Sequence, residues 1–429
     1  MIMHKEISLL QDANLKGKIV LVRVDHNVVK SGLIHDPYRI DATIGTLFHI
    51  LAKGGKIILM THVGRPKDKK TGTIKIDEKT SVAPIVKYLE EKLNVAIETP
   101  EYQSYGEEGY LIENSCTNYS IKRLKDGEID IIYLPNTRWF KGEESKGEEQ
   151  DRFACKLAAL ADVYVNDAFG SWQANASTVG INKYLPSYAG FLMQKEIKNL
   201  DRIFNAELPF LAVVAGSKFD TKIEPLYALL KKVDKLVLGG VIYNAYLCAK
   251  YGIKIKGVDD NDIQLAGEFI KFAEQYPNKI LELPYIAESD IMEGNEENCK
   301  IHDIRNFKVG EELNFVLDAA AESFTEKYVR DAFLSAKTIF VNAVMGYTPY
   351  FNKGTIALDT LIDENTEALK LYGGGDTMQE LKRLLPGIYM TALDSPKYYI
   401  FTGGGAVLKA IEQDSYLGIE PVEKLVVNT

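Results

Sequence analysis

The sequence predicts an α/β protein with mainly parallel sheets, divided into two domains. Short runs rich in Val, Ile and Leu recur along the chain and alternate with segments of helical period. That is the pattern of strands buried on both faces and linked by crossover helices. Polar residues or glycines stand where the runs stop, at the strand ends where open parallel sheets bind ligands. Two triple-glycine turns, Gly373-Gly374-Gly375 and Gly403-Gly404-Gly405, each follow an apolar run and precede a helical pattern. Such turns leave backbone N–H groups bare at a helix N-terminus, where an anion meets no Cβ.

Taken in order, the predicted strands are 18–25, 56–62, 129–136, 162–167, 209–216, 235–240, 337–343, 369–373 and 398–402. Helical period falls at 38–52, 82–93, 151–161, 224–233 and 378–385. One amphipathic helix over 189–204 is suited to join a first domain, 1–188, to a second, 205–411. The segments 101–126 and 288–312 are expected to be surface excursions. Strand ends in the first domain carry Arg, His, Asn and Asp, whereas those in the second carry Gly and Lys. The division predicts a small anion on the first domain and a nucleotide phosphate tail on the second.

Bulk properties narrow the class. A chain of 429 residues with 46% hydrophobic and 26% charged residues is of ordinary globular composition and suits two or three domains. A net charge of -9 argues against a nucleic-acid binder, so an anionic ligand must be held by a local cationic cluster. Cys116, Cys155, Cys248 and Cys299 are widely separated and expected to be reduced thiols. Met1-Ile2-Met3-His4-Lys5 opens no apolar signal segment, and no apolar run is long enough to span a bilayer. A cytoplasmic protein without membrane partners is expected.

Three constellations carry chemistry. Arg23, Arg39, His62, Arg65 and Arg138 lie in or just after first-domain strands or turns. Guanidiniums suit carboxylate or phosphate because each donates two parallel hydrogen bonds. Gly64-Arg65-Pro66 forms a turn that aims Arg65. In the second constellation, Gly216-Ser217-Lys218-Phe219-Asp220-Thr221-Lys222, a helix is expected near Asp220 with Lys218 and Lys222 on one face. Lysines at a helix N-terminus oppose the macrodipole unless an anion is present. In the third, Asp376 follows Gly375, either as a helix cap or as a Mg²⁺ ligand beside phosphate. No GxGxxG or GxxxxGK[ST] occurs, which excludes the dinucleotide and P-loop fingerprints.

These motifs together resemble the phosphoglycerate kinase family over nearly the whole chain. The matching stretches include VLVRVDHNV (20–28), DPYRIDA (36–42), ILMTHVGRPK (58–67), LPNTRWFKGEESK (134–146), DVYVNDAFGS (162–171), AGSKFDTKIE (215–224), AKTIFVNAVMG (336–346), YGGGDT (372–377) and FTGGGA (401–406). The resemblance implies two Rossmann-like domains joined by a helix and hinge, with a C-terminal tail, 412–429, packed back on the first. It implies reversible phosphoryl transfer from 1,3-bisphosphoglycerate to ADP, giving 3-phosphoglycerate and Mg-ATP, by a monomer. Asp25, Asn27, Arg39, His62, Arg65 and Arg138 would hold phosphoglycerate, with Arg23 lining the same cleft. Gly216, Lys218, Lys222, Gly239, Asn342, Gly374, Gly375, Asp376 and Thr377 would hold ATP or ADP, and Asp376 its Mg²⁺. Arg39, Lys218, Gly375 and Gly404 would steady the transferring phosphoryl group.

The chain departs from the family pattern at two places. After Gly170 the family's Thr-Ala-His-Arg-Ala-His is here Ser171-Trp172-Gln173-Ala174-Asn175, without the arginine. After Gly346 the family's Val-Phe-Glu is Tyr347-Thr348-Pro349, without the carboxylate that accepts from ribose. His26 also stands where a Phe is usual. Two alternatives follow: a related kinase for another small carboxylic acid, and a non-catalytic ligand-binding relic.

Overall fold

The computed structural model describes residues 6–112 and 114–427, with the side chains of 114–116 excepted. The expectations for Met1–Lys5 and for the Cys116 thiol therefore lie outside the described residues. The chain forms two compact units. One runs to Lys198 and resumes at Leu417, and the other is Asn199–Tyr416. The boundary falls inside the helix Phe191–Phe204. The chain leaves the second unit five residues later than 412. Glu412 is still the last residue of the helix Gly404–Glu412, and Asp414 pairs with Lys232 at 2.7 Å.

The first unit holds a six-stranded sheet in the order Ile97–Glu98, Ile131–Tyr133, Lys56–Met60, Ile19–Val24, Val163–Asp167, Ser187–Ala189. Every ladder in it is parallel. Alternate residues feed opposite faces, as the strand period requires. Val20, Val22, Ile57 and Leu59 pack with Leu47, Ile50, Ile85 and Leu89 on one side. Leu21, Ile58, Met60 and Tyr164 pack with Leu124, Phe153 and Leu157 on the other. Burial on both faces is why these strands read as continuous apolar runs. The tail pairs with the start of the chain, Val426 bridging Ile7.

The second unit has a five-stranded parallel sheet in the order Lys235–Gly239, Phe210–Gly216, Thr338–Asn342, Leu369–Gly373, Tyr398–Phe401. The first strand in sequence, Phe210–Gly216, thus has chain-later neighbours on both sides. That reversal makes its carboxyl end the topological switch point, where such sheets bind ligands. The predicted α/β architecture with mainly parallel sheets is borne out.

Of the two expected surface excursions, 288–312 is mostly exposed but carries regular structure, and 101–126 is partly buried. Residues 288–312 contribute to a three-stranded antiparallel sheet of Tyr285–Ser289, Lys300–Asp303 and Phe315–Ala319. Their acids are used internally. Glu288 meets His302 at 2.6 Å and accepts from the Asn314 amide, while Glu296 accepts from the Asn352 and Lys353 amides at the start of the helix Lys353–Glu364. Residues 101–126 contain the helix Asn114–Asp126, and Tyr102, Ile112 and Leu124 enter the core. The single helix expected over 38–52 is two, Tyr38–Asp41 and Ile44–Ala52. Thr43 stands at the break, its hydroxyl 2.9 Å from His26 Nε2. The other His26 nitrogen lies 2.9 Å from the Tyr133 hydroxyl. Burial, and then the Arg23 charge, push this imidazole down to about 3, so it is neutral and satisfied where the family usually has a ring without nitrogen.

Candidate functional site

In the first unit the charged residues gather past the strand ends. His62 follows the strand Lys56–Met60, and burial followed by the charges of Arg23, Arg138, Arg39 and Arg65 holds its imidazole well below the usual range. Of these, Arg23 contacts the ring, its Nη2 3.1 Å from Nδ1. The turn after His62 is strapped from three sides. The Gly64 amide donates to Asn27 Oδ1 at 2.9 Å, the Val63 amide donates to Asn136 Oδ1 at 3.1 Å, and Arg138 donates to the Gly64 carbonyl at 2.6 Å. Gly64 has φ of 62°, a conformation that favours glycine, and Arg65 projects into solvent. Arg39 pairs with Asp25 at 3.3 Å, and the other Asp25 oxygen is buried without a partner.

Arg23 differs from the other arginines. It is 1% exposed and donates to Ser177 Oγ, the Val24 carbonyl and His62 Nδ1. It supports the basin from beneath. A separate cavity of about 240 Å³ is lined by Arg138, Lys141, Glu144 and Glu149 among others. In it Arg138 pairs with Glu144 at 3.0 Å and Lys141 with Glu108 at 2.8 Å, and Lys67 lines the same cavity.

In the second unit the residues converge at the switch point. The helix after Gly216 starts at Ile223, not near Asp220, so Lys218 and Lys222 precede it and do not share a helical face. Lys218 is exposed on this loop. Lys222 turns inward and donates to Asn342 Oδ1 at 2.6 Å, and Asn342 donates to the Gly373 carbonyl. Burial lowers the Lys222 ammonium to about 8, against an opposing pull from Asp376. Gly216 and Gly239 are close-approach positions: a Cβ on the first would press on Lys222, on the second on Met345.

The two triple-glycine turns touch. A Cβ on Gly404 would collide with the Cα of Gly374, whose φ is 122°. The helices Gly375–Leu384 and Gly404–Glu412 thus begin side by side, with their first-turn amides in one shared patch, and amides at helix N-termini favour anions. Thr377 is buried beside Gly374, while Asp376 is exposed in the first turn. Gly374, not Asp376, is the cap residue, which leaves the Asp376 carboxylate free of the capping role. Gly404→Ala is expected to cost about 1–3 kcal/mol by overpacking this contact. A lowered Tm and a smaller ADP-induced Tm shift in thermal melts would show it; unchanged values would refute the shared patch.

The loop at Tyr347-Thr348-Pro349 does contact a carboxylate, but from elsewhere. Thr348 donates to Glu380, one turn beyond Asp376, at 2.7 Å, and Arg383 binds the same carboxylate. Glu380 lies within a helical pattern and gives no sequence signal of this contact. Where the expected arginine is missing, Lys146 donates to the Ala174 carbonyl at 3.1 Å.

The arginines gathered on one parallel α/β unit and the lysine-bearing glycine turns of the other accompany a family match that makes the chain a phosphotransferase of the kinase class. The phosphoglycerate kinase family profile matches residues 10–414. Phosphoglycerate kinases of Dictyoglomus turgidum and Trichodesmium erythraeum are 35% and 34% identical to the chain, each covering 97% of it and 98% of their own length. The solved phosphoglycerate kinase of Coxiella burnetii superposes with a TM-score of 0.75 at 26% identity, over 98% of this chain and all of that one. The chain belongs to the phosphoglycerate kinase family. Among the described residues no helix is long and apolar enough to cross a membrane.

Proposed function

We propose that the chain catalyses reversible phosphoryl transfer between 1,3-bisphosphoglycerate and ADP. The observation that carries this reading is the gathering past the strand ends of His62 on Arg23, Arg138 on the Gly64 carbonyl, and Arg39 on Asp25. In this reading Asp25, Asn27, Arg39, His62, Arg65 and Arg138 bind phosphoglycerate. Gly216, Lys218, Lys222, Gly239, Asn342 and Gly374–Thr377 bind the nucleotide. The reaction moves phosphorus from an acyl oxygen to a phosphate oxygen of ADP and releases a carboxylate. The nucleophile is already anionic, so positioning and charge neutralisation dominate. Arg39 and Lys218 are the charges assigned to the transferring group, and the amides at Gly375 and Gly404 orient it.

Asp376 is the proposed carboxylate for Mg²⁺, which neutralises nucleotide phosphates when bound. One exposed carboxylate beside an anion patch fits an ion that takes most of its ligands from phosphate and water. Among the described residues no cluster of three or more His, Cys, Asp or Glu offers an all-protein metal cage. A cytoplasmic monomer belongs to the same reading.

A coupled assay with 3-phosphoglycerate and Mg-ATP tests the function. Turnover only with another small carboxylic acid would favour the related-kinase alternative, and none with any would favour the relic. Lys146 is proposed to take over from the absent arginine. Lys146→Ala is expected to raise KM for 3-phosphoglycerate about tenfold with kcat kept, and Gln173→Arg to lower it, since each adds or removes one charged hydrogen bond. Equal KM values in both variants would exclude this substitution.

A further inference from the structure

We propose that Glu143 is a positioning residue that acts through Ser177 and Arg23 to hold His62 as the tautomer bearing its proton on Nε2. The inference rests on the reading that His62 faces phosphoglycerate. It begins from a side chain that the motifs leave without a role. Glu143 is fully buried, and a buried carboxylate is costly unless hydrogen-bonded. It accepts from the Ser177 amide at 3.0 Å and from the Ser177 hydroxyl at 2.6 Å. Tyr164 fixes the same residue by donating to its carbonyl at 2.8 Å.

A carboxylate can only accept, so it dictates where the Ser177 proton points. The hydroxyl lone pair is thereby turned to Arg23, whose Nε donates to it at 2.9 Å. The guanidinium in turn donates through NH2 to His62 Nδ1 at 3.1 Å. A guanidinium has no acceptor, so beside it Nδ1 is the unprotonated nitrogen, and the Ser171 hydroxyl, 3.4 Å from the same nitrogen, is then a second donor to it. The neutral ring then carries its proton on Nε2 and presents one N–H donor within a basin of guanidiniums. Without Glu143 the Ser177 hydroxyl is free to rotate, Arg23 Nε loses its oriented acceptor, and the guanidinium is left on the Val24 carbonyl alone while it donates to His62, so the tautomer loses support.

The test uses full-length protein labelled with ¹⁵N-histidine, with the His62 signals assigned through His62→Gln. In the unliganded protein His62 is expected as the pure Nε2–H form. Glu143→Gln and Ser177→Ala are expected to give mixed tautomers. Each should also raise KM for 3-phosphoglycerate about tenfold, the cost of one misaligned hydrogen bond, with kcat and the nucleotide KM little changed. Ser177→Ala removes a single oxygen and keeps the test open should the Glu143 variant fold poorly. Folded variants that retain the pure Nε2–H form would overturn the relay, as would activity lost only from kcat with the tautomer unchanged. A tautomer response in a protein that fails to turn over 3-phosphoglycerate would sink the functional reading and leave the relay standing.

Discussion

Lys218→Ala is expected to lower kcat about a hundred- to a thousandfold, the usual loss when one donor to developing transition-state charge is removed. The expectation rests on where the side chain is and what it lacks. Lys218 sits exposed on the loop between the strand Phe210–Gly216 and the helix Ile223–Lys232, and its backbone carbonyl accepts from Thr221 at 3.1 Å. Among the described residues its ammonium has no carboxylate partner. An exposed cation held by no carboxylate is suited to meet a phosphoryl group whose charge shifts during transfer. The variant should therefore melt within about 0.5 kcal/mol of the parent, as exposed substitutions do. KM for 3-phosphoglycerate should change little, and KM for the nucleotide should rise only a few-fold, because Lys222 and the paired glycine turns remain. Lys218→Arg should recover only part of the rate, since a planar guanidinium does not replace a point charge. Steady-state kinetics with both substrates decides this. A Lys218→Ala enzyme that keeps its kcat would remove this lysine from the reaction.

The sheets were legible because burial on both faces leaves an unbroken apolar run. All the strands predicted from such runs form, from Ile19–Val24 to Tyr398–Phe401. Five strands of these sheets escaped notice, two of them, Tyr285–Ser289 and Phe315–Ala319, five residues long and mostly buried in the antiparallel sheet. Ile97–Glu98 and Ser187–Ala189 are edge strands of two and three residues, and Lys300–Asp303 is a mainly polar, partly exposed edge strand. The site residues were legible by type and strand-end position, but their contacts were not. Nothing in the spacing of Arg23 says that it is buried on Ser177 and donates to His62. Nothing separates exposed Lys218 from inward-turned Lys222. The collision between Gly374 and Gly404 is likewise invisible until strand order sets neighbouring helices side by side. Each of these depends on residues far apart in sequence, whereas local pattern reports only what a residue's own segment buries.

Lys222→Met is expected to raise the stability of the unliganded protein while weakening nucleotide binding. Lys222 is held at about 8 by burial, below its ordinary 10.5, with its ammonium on Asn342. The sign follows from linkage. A lysine whose folded value is depressed binds fewer protons folded than unfolded between those two values, so stability rises with pH across that window. Below about pH 8 the full penalty of burying the charge is present, at most about 3 kcal/mol for a shift of this size. Met removes that penalty but leaves Asn342 Oδ1 without its donor, which returns about 1–2 kcal/mol. A net gain of about 1–2 kcal/mol at pH 7 is thus expected. The advantage over the parent should shrink as pH rises from 8 toward 10.5. Bound nucleotide supplies the negative charge that this buried ammonium lacks, so ADP should stabilise the parent much more than the variant. Thermal melts at pH 7 and pH 9.5, with and without ADP, separate the two effects. A variant that is less stable at pH 7 and equally stabilised by ADP would show that Lys222 is a structural cation and not a nucleotide ligand.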